Sequence, residues 1–379
     1  MSFDEDLLMW LVDEGSALGA SYVEARYQND YGVTVALRNG KVLGLASFKE
    51  EGVGIRVLVD GSLGFAATND LRKEGLREAL VKAVGRARSM ASLRRRPIQF
   101  TIEKVGRTSY EVLTKVRLED VTAEGLMSLG KEVYETLAKL VNQVKLPVCT
   151  FEARTHMQEK VVMTSESACV RSRVPRISVG ANLVLMHPQK GTLQRMKDFE
   201  SSGGGELLKE WRPVEILAEE VKDLEVVLVK GIEPPREPVD VIVGSEIVGL
   251  LVHESAGHPM EADRILGREA AQAGESYVKP DMIGKFRVGS ELATVIEDPT
   301  IPGSNGFYLY DDEGVPARAR YLYKEGIINE ALHNRHTANI FRTESNAAAR
   351  AMNYASEPII RMSNTYFKPG SMSFEELIE

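Results

Sequence analysis

His253-Glu254-Ser255-Ala256-Gly257-His258 sets two imidazoles around a carboxylate, directly after the apolar run Ile247-Val248-Gly249-Leu250-Leu251-Val252. Two neutral histidines and one further donor hold a divalent ion such as zinc, with a position left open for water. A carboxylate next to such a ligand takes a proton from that water and passes it to a leaving amine. The residues therefore point to metal-assisted hydrolysis, with peptides as substrate, His253 and His258 as metal ligands and Glu254 as general base. The alternative is a helix carrying two polar, partly exposed histidines and no metal.

The spacing constrains the backbone. The common metalloprotease pattern puts its histidines at i and i+4 on one helical face. Here they stand at i and i+5, which an ideal α-helix separates by about 140° of azimuth. A π-type turn brings i and i+5 together. Pro259 offers another route, because proline biases His258 away from the α region and ends the helix there. Either way a local irregularity is expected at residues 256–259.

The segment His253 to Asp263, HESAGHPMEAD, resembles the metal motif of the TldD/PmbA family of zinc metallopeptidases. Similar stretches are Tyr310-Asp311-Asp312-Glu313-Gly314-Val315-Pro316, Arg361-Met362-Ser363-Asn364-Thr365-Tyr366, Gly19-Ala20-Ser21-Tyr22-Val23-Glu24-Ala25-Arg26 and Glu200-Ser201-Ser202-Gly203-Gly204-Gly205. The resemblance implies zinc as cofactor, His253 and His258 as its ligands, Glu254 as base, and small or unfolded peptides as substrates. It also implies a homologous subunit as partner, in a homodimer or heterodimer. Glu261 and Asp263 match acidic positions that follow the motif, either supporting a ligand histidine or forming a polar helix end.

One departure stands out. The family's third ligand is a cysteine near the C-terminus, and no cysteine follows Cys169 here. A shortened chain, a substitute ligand, or a non-catalytic subunit that positions an active partner would each account for this. By chemistry alone Asp311, Asp312, Glu313, His333 and His336 are candidate substitutes, though each residue type is more often structural.

The elements that must position these residues read as α+β: antiparallel sheets with packed helices, in two to three domains at 1–96, 97–230 and 231–379. An amphipathic helix spans 4–19. Strands 33–38 and 41–48 flank Asn39-Gly40, and 53–59 and 63–67 flank Asp60-Gly61, both pairs favouring tight hairpins. Helices are expected at 69–90, capped by Asn69 or Asp70, at 118–144 and at 213–228. Strands are expected near 147–154, 158–164, 168–173 and 177–186, with a loop at 200–206. A buried strand at 239–243 leads to a helix capped by Ser245. Residues 264–290 read as a mobile flap. Strands near 292–297, 316–324 and 327–332 complete the chain.

Composition bounds the rest. The 379 residues, 43% hydrophobic and 27% charged, describe a globular protein. A net charge of −8 disfavours nucleic acid as a partner. The basic run Arg86, Arg88, Arg94, Arg95, Arg96 reads as a solvated helix end. Two cysteines build no disulfide framework. No apolar run is long enough for a membrane span, and the acidic N-terminus is unlike a secretory signal. A cytoplasmic location is expected.

Overall fold

The structure, a computed structural model, describes residues 3–93, 96–103, 105–268 and 274–378. Four long strands dominate: β1 (Tyr22–Arg38), β2 (Lys41–Val59), β5 (Lys145–Thr164) and β6 (Cys169–His187). With β3 (Ser62–Thr68), β4 (Arg107–Glu111) and β7 (Gly191–Ser202) they form one seven-stranded sheet, in the order β3-β2-β1-β5-β6-β4, with β7 also on β6. All pairings are antiparallel except β4 with β6. The two expected hairpin turns are present, with positive φ at Asn39, Gly40, Asp60 and Gly61. The α+β class with antiparallel sheets is as the sequence implied.

The strands run further than hydrophobic alternation suggests, for a physical reason. Along β1, Val23, Ala25 and Tyr27 face one core, while Glu24, Arg26 and Gln28 are equally buried between them. Those polar residues face the C-terminal part of the chain. Gly32 continues β1 because a Cβ there would meet the Thr155 carbonyl oxygen at 1.9 Å. Residues 200–202, expected in a loop, are the last of β7.

Helices cover one side. Leu8 and Leu11 of α1 (Glu5–Ala17) and Leu76 and Leu80 of α2 (Lys73–Ala91) pack on Val23, Ile55 and Val57. The expected caps Asn69 and Asp70 lie outside α2: Arg72 precedes it, and Asp70 accepts the Arg72 amide at 3.1 Å. Leu126, Val133 and Leu137 of α3 (Ala123–Leu140) and Leu217 and Val221 of α5 (Pro213–Lys230) form a second core with Val35, Phe151 and Leu183. Helix α3 starts later than expected because Thr122 caps it, accepting the Gly125 amide at 3.1 Å. The turn α4 (Leu207–Glu210) precedes α5. Arg96 is exposed; Arg94 and Arg95 lie outside the described residues.

Beyond α5 the expected strand at 239–243 does not form. Val239, Val241, Ile242 and Val243 are all exposed. A strand needs a paired edge and a covering layer, and none of the described residues supplies either. Helix α6 (Ser245–Val252) follows, with Gly244, not Ser245, at its cap position. A third core gathers Val252, Met260, Val278, Val295, Leu322, Leu332 and Ile360. Its sheet runs β10 (Ile327–Ile328), β9 (Arg320–Lys324), β8 (Val295–Glu297), β11 (Thr365–Phe367).

Buried ion pairs lock this part to the long sheet. Asp312 accepts from Lys160 at 2.8 Å and lies 3.5 Å from Arg26. Arg56 donates to Glu24 at 2.6 Å and Glu313 at 2.7 Å. Asp311 accepts the amides of Glu313, Val315 and Ala349. These acids are therefore committed to structure.

Candidate metal centre

Helix α6 does not continue as an α-helix. Residues His253–Gly257 form a π turn in which the His258 amide donates to the His253 carbonyl, an i to i+5 bond. A tighter turn, His258–Met260, follows with Pro259 in its first positions. Of the two routes inferred from the spacing, the wide turn is the one used: His258 keeps right-handed helical angles, φ −58° and ψ −44°, although Pro259 follows it.

Neighbours hold the wide turn in place. A π turn breaks the regular hydrogen-bond ladder, and the Ser255 carbonyl accepts from the hydroxyls of Tyr277 and Tyr323, each at 3.1 Å. Ser276 donates to the Pro259 carbonyl at 2.6 Å. Gly257 has ordinary helical angles, φ −59° and ψ −64°. Its lack of a side chain serves packing, because a Cβ would lie 1.8 Å from the Met362 sulfur. The stretches around His253 and Arg361 are thus in direct contact.

Residues 276–278, expected as part of a mobile flap, anchor the turn instead. Ser276 and Tyr277 bond to it and Val278 is fully buried. Residues 269–273 of that segment lie outside the described residues.

The geometry brings three ligand-bearing side chains together. One ligand atom each from His253, Glu254 and His258 lies within 4.8 Å of the others. The two imidazole rings meet edge to face, with centroids 4.7 Å apart. His253 and Glu254 are exposed and His258 is half-buried, so the cluster is open on one side. Burial lowers the pKa of both imidazoles; the neighbouring His258 adds to this at His253, and Arg264 at His258. Both are therefore neutral near pH 7, as ligation requires.

Of the two acids whose part was open, Glu261 reaches the cluster. Its Oε2 lies 3.2 Å from His258 Nδ1 and also takes the Arg264 guanidinium. A carboxylate on Nδ1 leaves Nε2 as the lone pair for a metal. Burial raises the Glu261 pKa against the pull of Arg264. Asp263 accepts the Arg264 amide at 3.0 Å, which fits a polar helix end.

The candidate substitute ligands are engaged elsewhere. Asp311, Asp312 and Glu313 hold the bonds already described. His333 is buried with Nδ1 3.2 Å from the Thr337 hydroxyl, and His336 faces the Gln99 carbonyl at 3.4 Å. Among the described residues, His253, Glu254 and His258 form the one group of three such side chains close enough to share an ion. Cys149 and Cys169 are buried in the two cores of the long sheet.

Three family models match consecutive parts of the chain. The PmbA/TldA metallopeptidase domain 1 matches residues 23–91, the central domain 116–229 and the C-terminal domain 236–379. The chain belongs to this family. It is 31% identical to a metalloprotease of Methanocaldococcus jannaschii over 94% of this chain and 76% of that one. It is 25% identical to a zinc metalloprotease TldD homolog of Saccharolobus solfataricus, covering 97% of this chain and 77% of the relative. The crystal structure of TldE from Thermococcus kodakarensis has the same fold, with a TM-score of 0.73 at 17% identity, over 98% of this chain and 80% of that one. Family membership supports a metallopeptidase role and implies a metal. None of the described helices is long and apolar enough to cross a membrane.

Proposed function

We propose that this protein is a zinc-dependent peptidase acting on small or unfolded peptides. The observation that carries this reading is the convergence of His253, Glu254 and His258 on a π turn that opens to solvent. The donor set fits zinc: two neutral imidazoles, one of them oriented by a buried carboxylate. His253 and His258 would hold the ion, which when bound supplies a Lewis acid for the scissile carbonyl and acidifies water.

The chain's own residues do the rest. Glu254 is exposed, with one oxygen 3.9 Å from His253 Nε2, so it can take the water proton and return it to the leaving amine. Glu261 fixes the His258 ring and Tyr277 and Tyr323 hold the turn beneath it. An extended peptide pairing along a sheet edge would be bound through its backbone, tolerant of sequence. We place the protein in the cytoplasm, working with a homologous subunit as a homodimer or heterodimer.

A second reading has this chain as the non-catalytic member that positions such a partner. What favours it is that, among the described residues, no side chain beyond Glu254 joins the two histidines as a third donor. Replacing Glu254 with Gln separates the two. Under the peptidase reading, hydrolysis of an unfolded peptide falls at least about a hundredfold while zinc content is unchanged. Retained turnover would remove Glu254 as the base.

A further inference from the structure

A cavity of about 370 Å³ lies between the β5–β6 face of the long sheet and the loops around residues 305–312 and 350–352. That size suits a ligand of a few amino-acid residues. Its lining includes Arg154, His156, Lys160, Arg176 and Arg350. The metal cluster contributes none of its side chains.

The positive charge of this lining is only partly compensated. Lys160 is committed to Asp312, and His156 Nε2 to Asp30 at 2.7 Å. Arg176 has no acidic partner among the described residues: its guanidinium donates to the carbonyls of Asn305 at 3.0 Å and Phe307 at 3.2 Å, and lies 3.4 Å from Gln158 Oε1. Arg350 donates to the Met362 carbonyl at 2.6 Å and stacks over the Tyr308 ring, 5.4 Å from its centroid. Burial, reinforced by the nearby charge of Arg350, pushes the Arg176 guanidinium down to about 10. Of the lining acids, Asp312 is already paired with cations, and Asp311 is taken up by the amides of Glu313, Val315 and Ala349. Glu200 accepts from the Asn305 amide at 2.7 Å.

A partly buried arginine pair held by carbonyls alone carries an uncompensated desolvation cost. Planar guanidiniums match carboxylates through paired, charge-assisted bonds. We propose that this cavity is a second binding site, which takes the carboxylates of an acidic peptide between Arg176 and Arg350. The peptide as bearer of those carboxylates rests on the peptidase reading above; the requirement for an anion does not. Arg350 also connects the two sites, since Met362, whose carbonyl it holds, packs on Gly257 of the metal turn.

The test is fluorescence anisotropy with fluorescein-labelled Ala-Ala-Glu-Glu and its uncharged counterpart, Ala-Ala-Gln-Gln amide. It is run in His253→Ala protein, so failure of the metal site cannot mimic failure of this one. The acidic peptide should bind at least about tenfold more tightly than the amide. Arg350→Met or Arg176→Met should remove that preference, and Arg350→Lys should keep part of it, with circular dichroism unchanged in each. Equal binding of both peptides, or a preference that survives Arg350→Met and Arg176→Met, would overturn the carboxylate site. Binding of succinate in isothermal titration calorimetry, with no binding of the acidic peptide, would overturn the peptide as its ligand.

Discussion

Gly257→Ala gives a sharp test of how the metal turn is held. Its backbone angles suit alanine, which on helix preference alone would gain about 0.5–1 kcal/mol. Packing opposes this. The new Cβ would lie 1.8 Å from Met362 Sδ, 3.2 Å from its Cγ and 3.3 Å from its Cε. Ordinary carbon contacts lie at about 3.5–4.0 Å, so the sulfur must withdraw by roughly 2 Å. Its backbone resists, because the Met362 carbonyl is held by Arg350 at 2.6 Å and the Arg361 amide by Ala348 at 2.9 Å. Overpacking of this kind costs about 1–3 kcal/mol. The middle of the two ranges leaves about 1–2 kcal/mol on the turn that aligns His253 with His258. The zinc dissociation constant, read by competition with a chromophoric chelator, should then rise about five- to thirtyfold. Adding Met362→Ala to Gly257→Ala should restore most of the affinity by emptying the contested space. Unchanged zinc binding in Gly257→Ala would refute the reasoning, since the thioether alone would have absorbed the clash. A double variant no better than Gly257→Ala would refute it too.

Two further outcomes concern the scaffold. Arg56→Met strands the buried carboxylates of Glu24 and Glu313 and should cost about 3–5 kcal/mol; a urea midpoint equal to that of the parent would show that the pairs do not clamp the C-terminal part to the sheet. His333 has its pKa lowered to about 4, chiefly by burial. Below an unfolded value of about 6.5 the unfolded chain binds the extra proton, so this histidine's contribution is whole above pH 6.5. It is lost as pH falls toward 4, by about 3 kcal/mol in all. The parent should lose more stability than His333→Gln between pH 7 and 4.5; parallel losses would contradict this.

Much of this architecture is legible in the sequence where a local rule governs it. Asn39-Gly40 and Asp60-Gly61 need positive φ and so mark their hairpins. The i, i+5 histidine spacing implies a wide turn, and one forms. What is not legible depends on distant partners. Glu24, Arg26 and Gln28 are the polar members of β1's alternation and so read as a solvent face, yet they are buried because Asp312 and Glu313, nearly three hundred residues on, come to meet Arg26 and Arg56. The apolar run at 239–243 looks like a buried strand, but burial needs a covering layer that no local pattern guarantees. Glu261 could be noted as an acid near the motif; that it, and not Asp263, touches His258 follows from the turn after Pro259. The carbonyl-bound Arg176 carries no local signal at all.

The proposed peptidase requires that this turn hold a metal. The direct measurement is zinc per chain in protein purified without added metal, beside a His253→Ala control. The expected result is a ratio near one that vanishes in the control. A ratio near zero in both, or an equal ratio in both, would contradict it.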